Sequence, residues 1–337
     1  MAIGSGLGSQ VGFAPETTYG TSQTPTTWLE VRTSSLDLNV EHIMSEALRS
    51  GLVVQRSDRF VNNKKGVSGS IELDVTSNNL ARWLRHNMND DRAFSATKTG
   101  SSPYTYTYNL GDPASCPSMT LQVGVPDIGG TVRRMDATGC FVSEMSLSNS
   151  VGELLKMSTT IDGQNYAPSS SAVTAASYAS STEVLSFVGG SVSVAGTVTP
   201  IQSYELSVKH GIDLERYQIN STTLKSRPIR NALTEVTGKV EMEFGQATGT
   251  WGSSDLVTKY AAGTTIAVSG AWTGATAISG TTYPALSAIT PVCMITKCTP
   301  TIDGPNLIKL SLEFMALDDG SQQPVQLVYV SSENLTV

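Results

Sequence analysis

The 337-residue chain holds four cysteines and three histidines, and neither type is spaced for chemistry. Cys116, Cys140, Cys293 and Cys298 form no C-x-x-C pair and offer no zinc-finger spacing, so they read as free, partly buried thiols. Charged residues make up 15% of the chain, against roughly 25% in an average soluble domain. Aromatics stand at 7%, too few for a surface that stacks on sugars. No run approaches the roughly 18 apolar residues that span a membrane, and MAIGSGLGSQ lacks the basic start and apolar core of an export signal. These absences lead to the expectation of a chain made in the cytoplasm, with a neutral, β-prone surface of Ser, Thr and Gly suited to extensive contact.

Repetition is what the sequence has in abundance. GVSGSIELDV (66–75) returns as EVTGKVEMEF (235–244), with Gly69 on Gly238, Ile71 on Val240, Glu72 on Glu241, Leu73 on Met242 and Asp74 on Glu243, an offset of 169. Both alternate apolar and polar residues as half-buried strands do. LDLNVEH (36–42) is matched by YELSVKH (204–210) at an offset of 168, and VGELLKMSTTIDG (151–163) by GPNLIKLSLEFMALDDG (304–320). SNNLARWLRHNMN (77–89) and SSDLVTKYAAG (253–263) each combine an N-cap residue with apolar positions at helical spacing. The pattern predicts a mainly β chain of two tandem β-sandwich or barrel modules, each with one short helix: residues 1–170 and 196–337, joined by a Ser/Ala/Thr-rich linker over 171–195. TTIAVSGAWTGATAISGTTYPALSAIT (264–290) reads as a surface loop or an extra hairpin.

Charge is unevenly spread. Residues 42–65 carry Arg49, Arg56, Arg59, Lys64 and Lys65 against two acids, and residues 209–230 carry Lys209, Arg216, Lys225, Arg227 and Arg230 against two. The rest holds 12 basic and 25 acidic residues. Each basic window joins two repeated strands and is longer than the usual connection, which predicts an extended hairpin arm in each module. A nucleic-acid binder spreads its basic excess over a face; two short basic arms on an acidic body suit a subunit that docks onto copies of itself.

Catalysis finds little support. His42 and His210 are paired by the repeat and read as structural, and His86 lies on the polar side of the first helix with no nearby nucleophile. GSGLGS (4–9) neither follows a strand nor opens a helix, as a dinucleotide loop must. Asp-Gly pairs at 162–163, 303–304 and 319–320 are turn chemistry, with too few oxygens for calcium. Glu72 with Asp74, and Glu241 with Glu243, form i,i+2 carboxylate pairs, but their recurrence fits a repeated acidic surface better than an acid/base site. Neither metal nor cofactor is expected. The sequons at Asn220 and Asn334 mean little without an export signal.

VGFAPETTYGTSQTPTTWLEV (11–31), then GSIELDV, then GCFVSEMSLSNSVGELLKMSTTIDG (139–163), resembles the tail tube proteins of long-tailed, non-contractile bacteriophages. ETTYGT with the following Pro25 is its most specific part, and ALDDGSQQPVQLVYV fits the family's C-terminal strands. The resemblance implies a structural virion protein whose modules close into rings, and rings that stack head to tail into a hollow tube for DNA. With two modules per chain, three chains would complete a pseudo-six-fold ring. It also implies tail tip, tape measure and tail terminator proteins as partners, double-stranded DNA passing without specific binding, and no membrane. On that reading the basic arms reach the adjacent ring or subunit, while Glu72, Asp74, Glu241 and Glu243 line the lumen, because a basic channel would hold DNA by counterion release. A decoration or fibre-like virion protein, or a carbohydrate-binding or hydrolytic β-sandwich, is the alternative.

Overall fold

The structure, a computed structural model, describes residues 5–100, 102–180, 182–219, 222–244, 252–302 and 304–335. The first half runs through β1 (Gln10–Pro15), β2 (Thr27–Leu29), β3 (Val31–Ser34), β4 (Asp37–Met44) and β5 (Phe60–Asp74) to the helices α1 (Ala81–Asn87) and α2 (Phe94–Thr97). It continues with β6 (Lys98–Thr99), β7 (Tyr104–Asn109), β8 (Met119–Pro126), β9 (Val132–Ser150), β10 (Lys156–Gly163) and β11 (Asn165–Ser169). The second half holds β12 (Gly190–Val194), β13 (Thr197–Val198), β14 (Ser203–Lys209), β15 (Ile212–Asp213), β16 (Ile229–Arg230) and β17 (Glu235–Glu243). After α3 (Gly252–Ala262) come β18 (Ile266–Thr273), β19 (Ala285–Thr301), β20 (Lys309–Ala316) and β21 (Gln326–Ser331).

Eight strands form one antiparallel wall in the order β4–β5–β10–β9–β14–β17–β20–β19, with β3 extending the β4 edge along β5. Alternation puts one row of side chains inward: Leu73, Met157, Leu147 and Leu206 stand side by side on four successive strands and are all buried. Burying each of these side chains contributes about 1.5–3 kcal/mol. A second layer covers the row, with β2–β1–β8–β9–β11 over the first half and β13–β12–β18–β19–β21–β7–β6 over the second. The long strands β9 and β19 belong to both layers. Each shifts register at a bulge, opposite Thr160/Ile161 in β9 and opposite Glu313/Phe314 in β19, and bulges are where strands bend.

The glycines of the repeated strand have separate reasons. A Cβ on Gly69 would sit 2.4 Å from the Ser35 carbonyl oxygen, where the chain jogs from β3 to β4. One on Gly238 would meet the Phe314 ring at 2.3 Å.

Residues 264–290 hold β18, the turn that follows it and the start of β19, so they are a paired hairpin of the second layer. The stretch expected as a linker is largely ordered: Leu185 is buried and exchanges backbone bonds with Val75 and Leu155, and β12 pairs with β18. Helix α1 starts at Ala81 with Leu80 as its cap residue, and no side chain caps it. Ser77 and Asn78 are spent elsewhere, on Glu183 and on Ser331 and Ser332. Helix α3 ends where expected, at Gly263 with φ +66. All four cysteines are free and buried.

His86 is not on a polar face: it is buried against Phe13, with ring centroids 6.0 Å apart, because α1 is covered on nearly every side. Burial, with help from Arg85 and Arg82, pushes its imidazole down to about 3. His210 is also buried, its Nε2 2.7 Å from the Asn87 carbonyl oxygen, and desolvation pushes it to about 4. An unfolded chain takes up protons near pH 6.5 that these folded imidazoles refuse, so stability is expected to fall as pH drops from about 6.5 toward 4. Melting temperatures across that range test this, and a midpoint that rises toward pH 4 would contradict it. His210→Gln should make the fall shallower.

Candidate assembly surfaces

The wall turns its polar row outward. Directly registered across seven strands lie Asp74, Lys156, Ser148, Glu205, Lys239, Glu313 and Lys297, a ladder of alternating charge broken by one serine. Opposite charges placed directly across strands stabilise a sheet. Glu72, Asp74, Glu241 and Glu243 all occupy this outward face, but they do not stand as bare carboxylates. Arg32 reaches Asp74 at 3.0 Å, the Thr33 hydroxyl donates to Glu72 at 3.2 Å, and Lys239 reaches Glu241 at 2.7 Å and holds its carboxyl below the usual range. Glu243 sits opposite Lys309. The face is therefore polar and finely interspersed.

The first arm projects as expected. Strands β4 and β5 run on together to Met44 and Phe60, and Ser45 closes the hairpin by donating to the Arg59 carbonyl. Its charges are partly matched within the chain. Arg56 pairs with Asp58 at 2.6 Å, Arg59 lies 4.0 Å from Asp58, and Lys64 lies 4.0 Å from Glu41 and 3.5 Å from Glu215. Arg49 is exposed in the tip, and Lys65 donates its backbone N–H to Thr223. A charge count of this window does not register its apolar load: Ile43, Met44, Leu48, Val53, Val54 and Phe60 are all exposed, with Leu48 and Val53 essentially bare. Exposed apolar residues gathered on one projection mark a docking surface.

The second basic segment departs from the expected free arm. It lies back over the first half, because its cations find partners there. Lys225 is buried in an ion pair with Asp162 at 2.5 Å, and burial pushes the Asp162 carboxyl up to about 6 despite the ammonium beside it. Arg227 donates to the carbonyls of Pro113 and Cys116 and lies over the Phe141 ring, Arg230 donates to Gly111, and Arg216 donates to the Arg227 carbonyl. Tyr217 donates to the Lys65 carbonyl at 2.8 Å, so the segment also braces the base of the first arm. The repeat-paired histidines differ in the same way: His210 is buried, while His42 is exposed beside Phe60. Asn220 lies outside the described residues.

The ETTYGT element has a structural role that its spacing does not disclose. Glu16 is buried, and its carboxylate accepts from Ser118 Oγ at 2.6 Å, Thr120 Oγ1 at 2.9 Å, and the backbone N–H groups of Gly20 at 2.8 Å and Gly139 at 2.9 Å. Gly20 adopts φ +75, and a Cβ there would overlap the Gln164 side chain. Tyr19 packs on Phe141 and donates to the Ser226 carbonyl. One buried carboxyl group thus fastens the loop after β1 to β8 and to the bulge at Gly139 in β9.

The phage tail tube protein family model matches residues 6–316, from before β1 into the last residue of β20. The chain belongs to the phage tail tube family. No curated protein matches it. Membership makes it a structural virion component of a non-enzymatic family and gives the features above a context: an uninterrupted wall, an apolar arm and a buried anchor at Glu16. Among the described residues no helix of this tail tube protein is long and apolar enough to cross a membrane.

Proposed function

We propose that three copies of this chain close into a ring, that rings stack head to tail into the tail tube of a long-tailed, non-contractile phage, and that genomic DNA passes through the lumen. The observation that carries the reading is the repeated strand order of the wall. β4–β5–β10–β9 and β14–β17–β20–β19 are the same sequence of pairings, joined edge to edge at β9–β14, and among the described residues no strand pairs with the outer side of β4 or of residues 294–301 of β19. The bulges in β9 and β19 lie 153 residues apart, α1 packs on β9 as α3 packs on β19, and both features support a duplicated module. Open edges invite pairing, and closure removes them. The second basic segment then has a plain counterpart: it crosses the joint onto the module next to it, which is in its own chain. The first arm would make the same crossing onto a neighbouring chain.

The outward ladder suits the lumen. Lysines alternate with carboxylates, so no basic stripe forms to retain a polyanion. Assembly would take place in the host cytoplasm, with tail tip, tape measure and tail terminator proteins meeting the tube at its ends or inside it. Electron microscopy of the purified protein should show hollow tubes of uniform diameter, and native mass measurement of one ring should give three chains. Six chains per ring would refute the duplication, and compact monomers or spikes would favour a decoration or fibre-like protein.

A further inference from the structure

Resting on that ring, we infer that the contact between chains copies the built-in β9–β14 joint with its charges exchanged, and that the exchange stops edges from pairing wrongly. In the built-in joint Leu147 faces Leu206 and Met145 faces Val208 on the inward side, while Glu144 faces Lys209 on the outward side. His210 donates its backbone N–H to Ser143, and Val151 donates to Gln202, so Ser143, Met145 and Leu147 point their peptide groups at β14.

The same positions can be found on the open edges. Lys156 opposite Asp74 corresponds to Lys309 opposite Glu243, which fixes offsets of 153 for β10 and 169 for β5. Carried along β19, the 153 offset puts Thr296, Cys298 and Pro300 in the places of Ser143, Met145 and Leu147, and Lys297 in the place of Glu144. Ser143 and Thr296 are also the residues skipped at the two bulges, which fixes the correspondence independently. No strand among the described residues pairs with this side of residues 294–301. On the other edge Ser207 lies opposite Thr237, and Asp37 lies opposite Ser68, which is 169 residues before Thr237. Ser207 therefore corresponds to Asp37, an offset of 170, and Lys209 corresponds to Asn39. Ser35 donates to Ser70, so Leu36, Leu38 and Val40 turn their peptide groups away from β5, toward the open side. Their side chains are half-buried, whereas Leu206 and Val208 are fully covered by β9.

Superposing the built-in register on these edges sets Cys298 opposite Leu38 and Lys297 opposite Asn39, with Asp37 and Glu41 flanking Asn39 on the same face. Diagonal neighbours of this kind are within reach of long side chains. Pro300 has no N–H to give and ends the pairing. The acid of the built-in joint sits on β9 and its base on β14; the base of the open joint sits on β19 and its acids on β4. Both correct pairings set opposite charges in register or on the diagonal: Glu144, whose carboxylate accepts from Ser207 Oγ at 3.0 Å, lies opposite Lys209, and Lys297, which pairs with Glu313 of its own chain at 3.2 Å, comes within reach of Asp37 and Glu41. A β4 edge invading β9 would set Asp37 and Glu41 against Glu144, and a β19 edge capturing β14 would set Lys297 against Lys209. Specificity of this kind comes from the repulsion in the wrong pairing as much as from attraction in the right one.

Lys297→Glu alone, and Asp37→Lys with Glu41→Lys alone, should each raise the protein concentration needed for tube assembly about tenfold, since every ring repeats the fault at each joint. The triple variant should return it to within about threefold of the unmodified chain. Variants with one edge reversed that assemble normally, or a triple variant no better than its parents, would overturn the charge complementarity of the open joint. Because the triple variant gives both joints the same polarity, a yield of correct tubes after refolding equal to that of the unmodified chain would overturn the role of the exchange against wrong pairing. The register is tested separately: Leu38→Cys should cross-link to native Cys298 of the next chain when tubes are treated with oxidised glutathione. Cross-linking at Leu36→Cys or Val40→Cys in its place would refute it. Failure of the unmodified chain to form any tube would sink the ring and this pairing together, whereas tubes indifferent to these variants would sink the pairing alone.

Discussion

Replacing residues 46–58 with a two-residue turn is expected to abolish tube growth while shifting the melting temperature of the chain by less than about 2 °C. The backbone bond from Ser45 to Arg59 already closes a hairpin at that point, so a type I′ turn can take over without disturbing β4 or β5. The deleted tip contributes no side chain to the core, and Leu48 and Val53 are 100% and 99% exposed. Side chains in that state add nothing to the fold, but covering each on a neighbour contributes about 1.5–3 kcal/mol to association. Reversing Arg56 and Arg59 should impair assembly less, because both sit against Asp58 in exposed ion pairs that solvent screens. Tubes of normal length from the shortened chain, scored by electron microscopy, would remove the arm from the assembly account.

Glu16→Ala is expected to destabilise the chain itself by about 3–5 kcal/mol. It leaves Ser118, Thr120 and the Gly20 and Gly139 amides without their acceptor inside the protein, and buried donors that lose a charged partner cost about 1–3 kcal/mol each before relaxation. Against a total stability of about 5–15 kcal/mol this is a large share, so the melting temperature should drop by about 10 °C. Glu16→Gln should fall between, keeping the shape but aiming an NH₂ at some of those donors. A melting temperature within about 2 °C of the unmodified chain would show that the loop after β1 is held by something else.

The parts of this fold that can be read from the sequence are those governed by strand alternation. Ile71 with Leu73, and Val240 with Met242, face inward and Glu72 and Glu241 outward because alternation needs no long-range information. Register is harder. The sequence aligns LDLNVEH with YELSVKH at 168, yet their pairing partners place them 170 apart, because the bulge at Arg32 and the jog at Ser35 let the β4 edge slip by one pleat. An even slip preserves the inward face, so hydrophobicity alone cannot reveal it.

Charge misleads where it meets burial. Lys225 reads as a solvent-facing member of an arm, and only the fold brings it to Asp162, 63 residues away in sequence. His86 reads as polar because the helix carries Arg82 and Arg85 beside it, although the layers around α1 leave His86 no exposed side. Glu16 carries a usable signal in the sequence: a lone carboxylate between apolar β1 and a Thr-rich turn is costly to bury and so has a reason to be there. The apolar tip of the first arm is equally visible once the window is judged by its leucines and valines as well as its arginines.

The continuity of β9 and β19 through both layers has a mechanical consequence. Layers that touch only through side chains can shear, but here the wall and its cover are the same covalent backbone, turned at a bulge. A tug on one layer is carried to the other along two strands, and the C-terminal strand β21, paired to both β19 and β7, ties the far half to the near one. Each subunit's two layers are thus braced against shear by shared strands. In the proposed tube, curvature would then be taken up between successive rings, so that a bend need not pinch the bore shut.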